Sequence, residues 1–232
     1  MMRALRFAPM IVALVLQAPG DRSVPLDRLE SRVTADPDDL RAANEYRMTV
    51  IAEKAYDRAL DFFKKLTDDH PESANAHLNY GFAYVDKIPA AGAIGQVILA
   101  NSALTEFTRS LERRPSWVGY YTRGVSYLYW PKIFNRWPLG VADLETALKM
   151  QRADRRHAYH VRTFVALGDA YWLMDDPAKA RAAWRTGLKE FPDSAPLKQR
   201  LAAKPPDLKK LMNDTYDPAR RVDTNLTELW TS

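Results

Sequence analysis

Residues 161–194 read VRTFVALGDAYWLMDDPAKARAAWRTGLKEFPDS, and no other stretch of the chain restricts its fold so tightly. Phe164, Leu167, Gly168 and Tyr171 recur at helical spacing and share one face, a small residue set among large ones. Asp175-Asp176-Pro177 breaks that helix. Ala180, Trp184 and Gly187 then share one face of a second helix, which Pro192 ends. Two short helices of this kind cannot bury their apolar stripes alone, so the unit requires stacked neighbours.

Three further copies follow the same order with less regularity. The first, over 41–72, has Tyr46 and Val50 on one helix, then Tyr56, Ala59 and Phe63 before a stop at His70-Pro71. Arg47 stands there where a small residue is expected, which reads as a degenerate unit. The second, over 73–115, has Tyr80, Gly81 and Tyr84, then Ala103, Phe107 and Ser110. Its two helices are spread by ten extra residues within 87–100, uncharged from 88 to 100. The third, over 116–152, has Tyr120, Gly124 and Tyr127, then Gly140, Leu144 and Ala147, with four extra residues within 130–138 between Pro131 and Pro138. The clean fourth copy is 161–194.

This order of large, small and punctuating residues resembles the tetratricopeptide repeat, a helix–turn–helix unit of about 34 residues. The resemblance covers 41–200 and implies an all-α, right-handed helical-hairpin solenoid of about four units. Residues 21–40 form a lead-in, with a helix start at Asp36-Pro37-Asp38. A C-terminal cap or tail spans 201–232. Helices are expected at 195–203 and at 207–216, after a stop at Pro205-Pro206, and Leu226, Leu229 and Trp230 suit a last turn that docks on the body.

Residues 1–20 carry Arg3 and Arg6, the apolar run 7–16, and small residues near Gly20. This is the pattern of a secretory signal, short for a membrane span of ~20 apolar residues. The expectation is export to the periplasm or beyond, with an uncleaved anchor as the variant. The chain has no cysteine, which removes thiol chemistry, zinc–thiolate sites and lipid attachment through a cysteine. The formal charge of +5 becomes +3 without Arg3 and Arg6, too small and dispersed for nucleic acid.

Catalytic groups are scarce. His157 and His160 lie three residues apart, a spacing that two metal ligands on a helix can use, but only Asp154 is nearby. Asp38-Asp39, Asp68-Asp69 and Asp175-Asp176 are neighbours in turns, and adjacent side chains diverge. No phosphate-binding glycine loop or nucleophile elbow occurs. The chain therefore reads as non-catalytic, without metal or cofactor.

In the family it resembles, the first helix of each unit lines the concave face. That resemblance implies a groove formed by Asn75, Leu78, Phe82 and Val85, by Val118, Tyr121, Val125 and Leu128, and by Arg162, Val165, Asp169 and Trp172. The lysines and asparagines of the family's dicarboxylate clamp are missing, and the lining is mostly apolar. Two occupants compete for it: a protein or peptide partner, or the chain's own tail. A second surface is suggested by eight aromatics within 117–137, of which Trp130, Phe134 and Trp137 exceed what repeat packing needs. Aromatics with a polar edge suit glycan, an envelope or membrane surface, or an interface. An enlarged core that packs the 130–138 turn against the neighbouring unit is the plainer account. The functional expectation is an exported protein- or peptide-binding scaffold or assembly subunit, with cell-wall glycan or membrane-surface binding as the alternative.

Overall fold

A computed structural model describes residues 25–218, 220 and 222–231, so the export signal expected over 1–20 lies outside the described residues. Among the described residues there is no strand, and four helical hairpins stack in chain order. They are α2 (Leu40–Glu53) with α3 (Tyr56–Asp69), α4 (Ala74–Lys87) with α5 (Ala93–Arg113), α6 (Trp117–Leu128) with α7 (Trp137–Arg152), and α8 (Val161–Leu173) with α9 (Pro177–Glu190). Ahead of them stands α1 (Leu26–Ala35). Behind them come α10 (Ala195–Ala202), which packs on α9, then α11 (Pro205–Thr215) and the single turn α12 (Glu228–Thr231). The chain is an all-α solenoid.

Proline and serine punctuate it. Pro71, Pro115 and Pro192 lie between units, and the serine one or two residues later caps the next helix. Ser73 accepts the Ala76 N–H, Ser116 that of Gly119 and Ser194 that of Leu197. Inside the fourth unit, Asp175 takes a left-handed conformation (φ 61°), Asp176 caps α9 through the Lys179 N–H, and Pro177 opens the helix.

Within hairpins, large residues press on small ones. A Cβ added to Gly168 would fall 2.1 Å from the Trp184 indole nitrogen, and one on Gly81 would fall 2.4 Å from the Phe107 ring. These close approaches explain the alternation of sizes along the sequence.

Three features depart from expectation. The lead-in contains α1, whose Leu26, Leu29 and Val33 are buried against Ala42, Tyr46 and Phe63, and α2 starts at its Asp39 cap rather than at 36–38. The extra residues of 87–100 form one short 3-10 turn and then lengthen α5 to 21 residues. Pro138 and the Pro205-Pro206 pair open α7 and α11 instead of stopping anything. The first turn of a helix has no use for the missing N–H, so proline is accommodated there.

Candidate functional site

The first helices of the units face a common concavity. Phe82 and Val85 of α4, Val118, Tyr121 and Val125 of α6, and Arg162 and Val165 of α8 line one cavity of about 530 Å³. Tyr121 stacks on Trp117 at 5.0 Å with the rings 4° apart, and burial pushes its hydroxyl up to about 12, so it stays neutral. The Trp117 indole N–H is shared between Gln151 and Thr163, both at 3.1 Å, which ties the third unit to the fourth.

The facing wall is the chain's own C-terminal segment. Leu226 is buried among Leu78, Phe82 and Phe107, with Leu229 and Trp230 packed alongside. A polar clasp secures it. Arg47 is fully buried and donates to Asp86 at 2.9 Å, Asn79 at 3.1 Å, Asn44 at 3.3 Å and the Thr224 carbonyl at 2.8 Å. The Thr224 hydroxyl donates to the other oxygen of Asp86, and Asn44 accepts the Leu226 N–H at 2.9 Å. The Arg47 guanidinium also lies 4.5 Å from the Phe82 ring centroid. Further along, Arg162 pairs with Glu228 at 2.7 Å. The tail therefore occupies part of the groove as an extended peptide ending in one helical turn.

At the edge where the two helices of each hairpin join, the extra residues of the second and third units approach each other. Arg136 donates to Asn101 at 3.0 Å and lies 3.6 Å over the Trp130 ring. Phe134 meets that ring edge-on, and the Trp137 indole N–H is bound to the Trp130 carbonyl at 2.9 Å. Trp130 is only 6% exposed. Ile94, Val97 and Ile98 of α5, Ile133 and Phe134 of the second insertion and Leu139 at the start of α7 project into solvent, with Ile94 82% and Ile133 87% exposed.

No family model matches the chain, and neither does any curated protein. Solved structures do. TTC0263, a thermophilic TPR protein of Thermus thermophilus, superposes with a TM-score of 0.57 over 76% of this chain and 87% of that one, at 20% identity. YrrB, described as a TPR protein with an unusual peptide-binding site, superposes with a TM-score of 0.52 over 88% of this chain and 90% of that one, at 14% identity. The chain has the tetratricopeptide-repeat fold.

In tetratricopeptide terms the concave positions have four different fates. Phe82, Val85, Tyr121, Val125, Arg162 and Val165 line the concavity. Leu78 and Leu128 do not reach an open surface: Leu78 is covered by the tail cluster, and Leu128 is enclosed between α6, α7 and α8. Trp172 leans away onto the α8–α9 core near Trp184. Asp169 touches the cavity but is fully buried and committed to structure. Arg200 holds both its oxygens, at 2.6 and 2.7 Å, while Tyr216 and Trp184 donate to it at 2.9 and 3.2 Å. Burial pushes its carboxyl up against those bonds.

Of the second surface, Trp130 is covered by Arg136 and the Trp137 N–H is already spent, so Phe134 alone remains largely open. His157 and His160 join Trp117 and Tyr159 in an aromatic cluster, and among the described residues no three His, Asp or Glu side chains gather as a metal site. The residues that sequence reading missed are Asn44, Arg47, Asn79 and Asp86. Their signal was present: polar side chains at inward helical positions of the first two units.

Proposed function

We propose that the chain is a non-catalytic scaffold that holds a protein or peptide partner on its concave face, outside the cytoplasm. One observation carries the reading. Residues 222–230 lie in the groove as a peptide does, with Leu226, Leu229 and Trp230 as apolar anchors and backbone groups of Thr224 and Leu226 bound by side chains of α2. A surface that accepts this segment in cis has the chemistry to accept a similar one in trans. A partner peptide with two or three spaced large apolar residues would compete with the tail or extend along α6 and α8 beside it. The TPR fold and the apolar lining support a protein-interaction role, and the Arg3/Arg6 apolar leader supports placement outside the cytoplasm.

Affinity capture from envelope extracts, with recovered proteins identified by mass spectrometry, tests it. Leu226→Asp with Trp230→Asp frees the tail and is expected to strengthen capture of a specific partner. Val125→Glu places a charge in the half-buried lining and is expected to abolish it. Unchanged capture by a cooperatively melting Val125→Glu protein refutes the groove as the binding surface.

A further inference from the structure

The tail fills only part of the concavity, and the remainder has a chemistry of its own. Its volume of about 530 Å³ falls in the range of about 300–1,000 Å³ typical of small-molecule sites. Its walls are Tyr121, Val125 and Val165 on one side and Val97, Ala100 and Trp130 on another. Among the described residues, each arginine that reaches it is paired with a carboxylate of the chain. Arg162 pairs with Glu228, Arg200 with Asp169 and Arg220 with Asp214, while Asp223 accepts the Asn225 N–H. An anionic group entering here would have to displace a carboxylate from one of these arginines. A hydrocarbon finds a wall that is mostly apolar.

The mouth adds a second, independent observation. Val97 and Phe134 line the cavity and are also solvent-exposed, so one opening lies between the two insertions. Ile94 and Ile98 are near Val97 along α5, Ile133 adjoins Phe134, and Leu139 lies in the first turn of α7 after the second insertion, all exposed. Met174, the one other large apolar side chain found exposed among the described residues, adjoins Asp175, which pairs with Lys132 beside Ile133. The exposed large apolar residues thus gather at a single edge, around the entrance to an apolar cavity. Scattered single exposures are ordinary, but a concentration of this kind marks a contact surface. A water-soluble polar ligand gains nothing from such a rim, whereas a hydrocarbon chain leaving a lipid surface stays shielded along its whole route.

We propose that this cavity receives the hydrocarbon chain of a membrane lipid, taken up while the edge formed by the two insertions rests on the membrane. This goes beyond peptide binding because it uses the part of the concavity the tail leaves open. The polar head of the lipid stays at the mouth, near Lys132 and Arg136.

The test uses the purified protein and cis-parinaric acid, a fluorescent polyene fatty acid that accepts energy from tryptophan. Trp117 and Trp130 line the cavity and serve as donors. Saturable energy transfer with one site per chain is expected. Val125→Phe fills the cavity from a half-buried position and should weaken binding by about tenfold or more. Ala93→Trp stands at an exposed helix start and obstructs the mouth without touching the core, so it should weaken binding even if the first variant folds poorly. Ile94→Ser with Ile98→Ser and Ile133→Ser should slow uptake from phosphatidylcholine vesicles carrying the probe while leaving its equilibrium affinity unchanged. Absence of saturable transfer to the folded protein overturns the proposal. So does affinity that both Val125→Phe and Ala93→Trp leave intact, or vesicle association without probe uptake. A dimer in sedimentation velocity that the triple serine variant dissociates, with no probe binding, assigns the edge to a second copy and overturns it equally.

Discussion

Arg47 occupies a position where the repeat pattern calls for a small side chain, and its burial with Asp86 gives that irregularity a purpose. Removing one member of a buried ion pair leaves the other charge uncompensated, so Arg47→Ala is expected to cost about 3–5 kcal/mol in urea unfolding. Arg47→Met with Asp86→Leu should recover much of that loss while still releasing the tail, which limited proteolysis at 217–223 would report. His160 provides a second test at this scale. It is nearly buried beside Trp117, and its Nδ1 accepts the His157 backbone N–H at 3.3 Å. Burial, and after it the charge of His157, holds its imidazole below the usual 6.5, with Asp154 opposing. The folded state therefore resists a proton that the unfolded chain accepts readily. Stability is complete above pH 6.5 and declines as pH falls through that value toward the lower folded one. Lowering pH from about 7.5 to about 5.5 should reduce Tm more in the native protein than in His160→Asn, whose amide oxygen keeps the acceptor. Neither role was legible locally: Arg47 meets Thr224 across 177 positions, and His160 meets Trp117 from the previous unit.

The hairpins were legible because their signals are short-range. Pro71, Pro115 and Pro192 with the serines that follow mark unit boundaries, and Gly168 opposite Trp184 marks where two helices nearly touch. Gly168→Ala tests that contact. The added methyl meets the indole at a separation real side chains do not tolerate, so α8 and α9 must part, at a cost of about 1–3 kcal/mol by calorimetry or denaturant titration. An unaltered stability would mean that Trp184 is free to swing aside. Other elements were harder to read. α1 begins after Pro25, which offers no side-chain cap, and fits the pattern only through Leu26, Leu29 and Val33. The first insertion contains Pro89, Gly92 and Gly95, residues that suggest a loop, yet the rest is helix-compatible and simply extends α5 backward. Of the concave positions, Tyr121 and Val125 at mid-helix on α6 line the cavity, whereas Leu78 and Leu128 are covered by segments whose location repeat spacing does not report.

Over the molecule as a whole, the tail connects regions that repeat-by-repeat stacking would leave independent. Its Thr224 and Leu226 bind α2 and α4 of the first two units, while Glu228 pairs with Arg162 of the fourth. Deleting 222–232 uncovers Leu78 and Phe82 and removes a carbonyl from Arg47, and a hydrogen bond to a charged group is itself worth about 1.5–3 kcal/mol. The truncated protein should melt at lower temperature and in a broader transition, since the far units lose their shared tie. A transition as sharp and as high as that of the full chain would show the tail to be passive. Repeat arrays ordinarily behave as rows in which each unit answers only to its neighbours. Here the row is fastened into a loop, and the fastening is made after all four units. During synthesis the first two units emerge while the residue 224 groups that bind Arg47 and Asp86 are still unwritten. The first two units therefore complete their own interior only after the last two exist.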